Sequence, residues 1–259
     1  MQQNHLLINI QNRIMHLTLN RPESLNSFSP DMIAGLTKAF REAGRNPEVR
    51  AVILSGSGRS FSAGGDVKTM GTAGPGEVYD HIGLLNECIL SIKGCEKPVL
   101  AAVHGFAAGA GFNLALACDL IIAAEDSQFA LSFSKVGLVS DGGGSYFLTR
   151  LVGPHLAKEL FFTGRPFDAP RLHQLGIVNA VFPKESLQEE VFKTAAELAG
   201  GPRKAFGMIK KLVDISMTAS LEEVLEQERI TQTFMVSTDD HEEGVQAFKE
   251  KRKPVFTGR

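Results

Sequence analysis

The sequence predicts an α/β fold with mostly parallel strand pairing and a helical C-terminal part. Three observations carry that prediction. Short apolar runs alternate with amphipathic segments up to about residue 185. Two of those runs open directly into glycine-rich turns, "FSAGGD" at 61–66 and "HGFAAGAGFNLALA" at 104–117. Beyond about 185, helix follows helix on Glu- and Lys-rich faces, with no strand signal.

The elements follow in order. "HLLINIQNRIMHLTLNRP" reads as two short strands around the turn-forming pair Asn12–Arg13. "SPDMIAGLTKAFREAGRNP" reads as a helix: Ser29 is its N-cap, Pro30 fits the first turn, Asp31 suits the positive end and Gly44 fits the C-terminal cap. "VRAVILSGSG" is a buried strand entering a glycine-rich loop. "VYDHIGLLNECILSIKGCEKP" is a second amphipathic helix, ended by Lys97–Pro98. "VLAAVHGFAAGAGFNLALACDLIIAAE" reads strand, glycine turn, helix, strand. Its second strand, "DLIIAA", is nearly all apolar and so buried on both faces. A further strand–glycine–helix unit passes through Asp141, and "GIVNAVFP" is a late strand.

Composition excludes several classes. The chain has 259 residues and a net charge of −2, so it is no general binder of polyanions. Its three cysteines, Cys88, Cys95 and Cys118, have neither metal-ligand spacing nor a disulfide framework, which fits a reducing cytosol. No apolar run reaches the roughly 18 residues that span a membrane, and "MQQNHLLINI" lacks the pattern of a signal peptide. A cytoplasmic protein is expected. The seven histidines show no metal or triad spacing. A dinucleotide fingerprint, a phosphate loop, a nucleophile elbow and an HExxH motif are all absent.

The two glycine turns are the first candidates for chemistry. Small residues let a ligand approach the backbone, and a helix start leaves N–H groups unpaired. Two such turns side by side place two N–H donors around one oxygen, the layout of an oxyanion hole. The plain alternative is a pair of ordinary strand-to-helix turns. Asp141, in "GLVSDGGGSYF", is either an acid/base group or the N-cap of a helix starting near Gly143 or Gly144.

"FSAGGDVKTM", "HGFAAGAGFNLALACDLIIAAEDSQFAL", "GLVSDGGGSYFLTRLVG" and "ELFFTGRPFDAPRLHQLGIVNAVFP" resemble the crotonase (enoyl-CoA hydratase/isomerase) superfamily. The likeness continues to "DDHEEGVQAFKEKRKPVF" near the end. It implies a spiral of ββα units over residues 1–200, holding an acyl-CoA site, and a helical oligomerisation subdomain over 201–259. It implies a homotrimer or a dimer of trimers. One branch of the superfamily binds RNA through a lysine-rich helix, but the matching helix here, "SPDMIAGLTKAFREAGRNPEVR", mixes acids and bases, so no nucleic-acid partner is expected. The lack of a long apolar run argues against a membrane partner. The resemblance implies an acyl-CoA substrate, with no metal and no cofactor beyond the coenzyme A of that substrate. The backbone amides of Gly65 and Ala110 then hold the thioester oxygen. Ala63, Asp66, Val67, Phe248 and Lys251 match positions that touch coenzyme A; Asp66 reads equally as a residue fixing its own loop. The "KEKRK" cluster reads equally as a solvated helix end.

One departure matters. Hydratases of this family carry two glutamates, and the matching positions here are Asn113 and Phe133. Phe133 exchanges no proton, and Asn113 orients a molecule without titrating. Asp141 falls where some isomerases of the family carry a catalytic aspartate, including those acting on dienoyl-CoA and on ring-epoxidised phenylacetyl-CoA. The expected function is an enoyl-CoA isomerase using Asp141, in an apolar pocket shaped by Phe133 and the segment 70–92, with Asn113 also in the pocket. Phe133 is expected to desolvate Asp141 and raise its pKa. The alternatives are a hydratase or dehydratase in which Asp141 activates water, and a non-catalytic acyl-CoA-binding scaffold. His81 lies on the helix expected to cover the acyl pocket and reads as an ordinary half-buried residue, His104 as a local hydrogen-bonding group and Asp119 as structural.

Overall fold

The computed structural model describes residues 4–66, 71 and 73–259. Val67 lies outside the described residues.

The first hairpin forms as expected. Strands β1 (Leu6–Gln11) and β2 (Ile14–Leu19) pair antiparallel, and Asn12 and Arg13 between them both have positive φ. That is the backbone of a tight hairpin turn, which Asn tolerates well. Helix α1 (Pro30–Arg45) opens on Ser29, whose hydroxyl accepts the Met32 N–H at 3.2 Å. It runs past Gly44 and is capped at Asn46 instead. Pro47 pushes the residue before it out of the helical region, so the stop lies there.

Strand β3 (Ala51–Gly56) lies parallel to β2. Helix α2 (Pro75–Lys93) starts three residues before the expected Val78 and closes at Gly94, ahead of Lys97–Pro98. Pro75 sits in its first turn, and the Glu77 carboxylate accepts the Gly74 N–H at 2.8 Å. Then come β4 (Val99–Val103), β5 (Phe106–Ala108), α3 (Ala110–Ala117), β6 (Leu120–Ala124) and β7 (Gln128–Ala130). A 3₁₀ turn over Ser132–Val136 leads to Asp141 and α4 (Gly144–Thr163). No strand abuts Asp141, which corrects the strand–glycine–helix reading of that stretch. Helix α4 is broken at Gly153, where φ is 77°, just before Pro154. Strand β8 (Phe167–Asp168), helix α5 (Ala169–Gln174) and strand β9 (Ala180–Phe182) complete the strand-containing part. Helices α6 (Leu187–Ala199), α7 (Arg203–Ser216), α8 (Leu221–Met235) and α9 (Asp239–Glu250) follow.

The large sheet has the order β1-β2-β3-β4-β6-β9, parallel from β2 onward. The small sheet has the order β5-β7-β8. The chain steps from β4 to β5 and from β6 to β7, passing each time from the large sheet to the small one. Ser62 makes a single parallel bridge to Ala107, so the loop after β3 takes the same step in minimal form. Repeated strand, short strand and helix make the spiral of ββα units.

The parallel strands are covered on both faces. Val52 and Leu54 face the main core with α1, α2 and α3, while Ala51 and Ile53 face a second core under α6. That alternation is the two-residue period of the pleat. Every residue of β4 is fully buried. The two glycine turns leave this sheet at the same end and meet there.

Candidate active site

The two glycine turns touch. A Cβ at Gly64 would lie 2.5 Å from the Ala108 carbonyl oxygen and 2.8 Å from the Ala110 nitrogen. Gly64 has φ of 80°, so only glycine meets both demands. The second turn reaches α3 through Gly109, which has φ of 52° and ψ of −126°. Its N–H donates to the Ala130 carbonyl at 2.8 Å, fixing the turn on β7. Ala110 is the first residue of α3, where the helix leaves its N–H unpaired. Among the described residues, neither the Gly65 nor the Ala110 N–H finds an acceptor. Two buried turns thus bring two uncommitted amide donors to one place.

Asn113 stands one turn further along α3 and is fully buried. Its side-chain amide donates to the Asp141 carbonyl at 2.8 Å and to Ser140 Oγ at 3.1 Å. These bonds tie Asp141 to the helix that starts at Ala110. Gly144 is pressed against the same amide: a Cβ there would lie 2.2 Å from Asn113 Oδ1. The last of the three glycines therefore makes room for Asn113.

Asp141 is not a helix cap. Helix α4 has Gly143 at its N-cap with no side-chain cap bond. Asp141 contributes only its carbonyl, which accepts the Gly144 N–H at 3.1 Å. Its Oδ1 is buried and, among the described residues, has no hydrogen-bond partner. Burial pushes the carboxyl above the usual carboxylate range, and the Asn113 amide and the His81 charge moderate that rise. Asn113 Oδ1 is a second buried acceptor without a partner among the described residues. Buried acceptors left open in this way are suited to a proton or a polar ligand atom.

Phe133 borders the site from the 3₁₀ turn. Its ring would touch a Cβ at Gly109 at 3.6 Å, and it packs on the main core. It therefore forms an apolar wall beside the Ala110 turn. Helix α2 closes another side. Leu85 lies against Gly142, as Asn113 does, and His81, half-buried, is one helical turn before it. His81 is thus a neighbour of the site, on the helix that the sequence placed over the acyl pocket.

Ala63 and Asp66 flank the Gly65 turn, and the remaining candidates fall elsewhere. Asp66 pairs with Arg21 at 3.2 Å beside the Gly65 turn, so its carboxylate helps fix that loop. Ala63 donates its N–H to the Leu25 carbonyl at 2.9 Å. Phe248 is 86% exposed on α9, and Lys251 closes that helix in the left-handed conformation. Among the described residues, no hydrogen bond joins either to the Asp141 cleft. His104 Nε2 lies 3.0 Å from the Gly58 carbonyl, and Asp119 pairs with Lys210 at 2.9 Å. The three cysteines are buried, with thiols pushed up by burial, Cys88 to about 12. No helix among the described residues is long and apolar enough to cross a membrane.

Comparison with known proteins places the chain in a family. Residues 9–259 match the family described as enoyl-CoA hydratase/isomerase. The chain is 36% identical over 259 residues to the 1,2-epoxyphenylacetyl-CoA isomerase of Escherichia coli K12, covering 98% of each chain. It is 35% identical over 259 residues to a probable enoyl-CoA hydratase of Mycobacterium leprae, covering 100% of each. The crystal structure of an enoyl-CoA hydratase from Polaromonas sp. JS666 superposes with a TM-score of 0.94 at 37% identity. That match covers 97% of this chain and 99% of the other.

Proposed function

The chain belongs to the enoyl-CoA hydratase/isomerase family, and from that premise we propose that it isomerises unsaturated acyl-CoA thioesters with Asp141 as the acid/base. The observation that carries this reading is Asp141, half-buried and not a helix cap, whose Oδ1 is buried and, among the described residues, without a partner, while Asn113 and Phe133 stand at the two positions where hydratases carry glutamates.

The chemistry follows from those residues. The Gly65 and Ala110 N–H groups hold the thioester oxygen and stabilise the charge that develops on it. Asp141 removes a proton from the α-carbon of a β,γ-unsaturated acyl group, giving a dienolate. The same carboxyl then returns the proton to the γ-carbon, and the double bond moves into conjugation. One carboxylate suffices because it gives back what it took. Burial strengthens it as a base, and the Phe133 wall keeps the intermediate from water. The likeness to an epoxyphenylacetyl-CoA isomerase supports ring-containing acyl groups as substrates.

A second reading, addition of water across the double bond, draws support from Asn113 Oδ1, a buried acceptor able to orient a water that Asp141 activates. The same assay separates the two. Purified protein is given β,γ-enoyl-CoA and crotonyl-CoA in parallel, and products are followed by absorbance of the conjugated thioester. Isomerisation is expected to dominate, and Asp141→Asn is expected to lower it by about 10²–10⁴-fold. Full turnover in Asp141→Asn removes that residue from the reaction, and hydration exceeding isomerisation selects the second reading.

Exposed apolar side chains on the late helices support self-association into a trimer or a dimer of trimers. They include Ile209, Val213, Leu221, Leu225 and Phe234. In that assembly Phe248 and Lys251 reach the coenzyme A arm in a neighbouring subunit.

A further inference from the structure

The Gly65 N–H owes its place to neighbours that take no part in the chemistry. The loop that carries it is held from below by a buried chain of hydrogen bonds. Ser62 is fully buried. Its hydroxyl donates to the Asn26 carbonyl at 2.8 Å and accepts the Gly64 N–H at 3.1 Å. Its backbone N–H donates to the Phe106 carbonyl at 3.1 Å, and its carbonyl accepts the Ala108 N–H at 2.9 Å. One residue therefore touches both glycine turns: the first through its hydroxyl, the second through its peptide groups.

Asn26 is the base of this chain. It is fully buried and has φ of 56°, an uncommon conformation for a residue with a side chain. Its amide donates to the Ser57 and Ser60 carbonyls at 2.8 Å each, and its Oδ1 accepts the Arg21 N–H at 2.8 Å. These bonds over-determine the backbone at 26, which is how a strained conformation persists. Arg21 then reaches across to Ser27 O at 2.8 Å and to Asp66 at 3.2 Å. On either side of Gly65, Gly64 is held by Ser62 and by Phe28, whose N–H donates to its carbonyl at 2.7 Å, and Asp66 is held by Arg21. Between them, the Gly65 N–H has no acceptor among the described residues.

We propose that Ser62, seated on the left-handed Asn26, is the positioning residue that aims the Gly65 N–H at the thioester oxygen and fixes its spacing from the Ala110 N–H. The inference rests on the acyl-thioester reading of the site and is independent of what Asp141 does. An amide donor works only within a narrow distance of the developing oxyanion, and a small misplacement costs rate. The Ser62 hydroxyl supplies that precision because its donor and acceptor roles are both used in a dry environment.

The test reads carbonyl polarisation directly. Butyryl-CoA labelled with ¹³C at the thioester carbonyl is bound to the protein, and its infrared C=O stretch is recorded. Butyryl-CoA has no double bond to shift, so turnover does not enter. Wild-type protein is expected to move the stretch to lower frequency. Ser62→Ala is expected to lose at least half of that displacement. Its kcat on β,γ-enoyl-CoA should fall tenfold or more, with KM changed less than threefold. Ser62→Cys, which keeps a weaker and longer donor and acceptor, is expected to fall between the two. A folded Ser62→Ala protein with the wild-type displacement overturns the proposal, even where Asp141→Asn is inactive. If Ser62→Ala does not fold, Ser62→Cys decides: a reduced displacement supports the proposal and an unchanged one overturns it. A wild-type protein that binds butyryl-CoA without any displacement overturns the thioester reading and this inference with it.

Discussion

Asp141 shows how far a single residue can be read before coordinates are seen. A carboxylate next to glycines has two ordinary explanations, a helix cap and an acid/base group. The sequence stated both. The structure separates them because capping is a matter of where one oxygen points, and Gly143 occupies the cap with no side-chain bond. A test follows from the direction of its titration. Burial raises the Asp141 pKa above its ordinary 3.8. A base must be ionised, so activity is lost as pH falls through that raised value. The acid limb of kcat/KM against pH is expected above the usual carboxylate range; a limb near 3.8 contradicts the role assigned to burial. Ser62 and Asn26 were not visible as site residues. Their side chains are common and their roles depend on three segments, 21–28, 57–66 and 106–108, meeting. The signals in retrospect are small: a serine just before "AGGD", and an asparagine in a proline-rich stretch ahead of a capped helix.

Local chemistry fixed most elements. Ser29 with Pro30, and Asn12–Arg13 between alternating strands, carry their own stereochemistry and formed where they were read. Boundaries shifted where two local signals competed. Gly44 is a fair C-cap, but Pro47 forbids helix at Asn46 and so sets the stop. The junction of α3, β6 and α7 is held by a contact that local signals do not reveal. Asp119 accepts the Val99 N–H at 2.8 Å and pairs with Lys210 at 2.9 Å, joining the sheet to a helix far along the chain. Burial raises the Asp119 pKa even so; desolvation outweighs the ion pair. Removing one partner strands the other. Lys210→Met is expected to destabilise by about 2 kcal/mol in urea denaturation, and Lys210→Met with Asp119→Asn to recover part of that loss. A double variant no better than the single one argues against coupling.

Over the whole molecule, the late helices leave much apolar surface open. A cavity of about 1020 Å³ lies between α2, α4 and α7, lined by Leu90, Tyr146, Phe147, Leu151, Ile209 and Val213 among others. Together with exposed Leu221, Leu225 and Phe234, this is more apolar surface than a lone chain usually shows. Light scattering during gel filtration is expected to give three or six chain masses. A monomer at micromolar concentration contradicts the assembly proposed for Phe248 and Lys251. The amino-acid sequence by itself determined the alternation of strands and helices, the two glycine turns and the absence of paired glutamates. Each of these depends on residues near one another in the chain, where backbone sterics and side-chain chemistry act directly. Only the tertiary structure decided that Gly64 presses on the Ala110 turn and that Asn113 holds Asp141 by its carbonyl. It alone decided that Asn26 supports Ser62 beneath both donors. These are contacts between segments distant in sequence, and their positions follow from how the sheets and helices pack, which local preference does not encode.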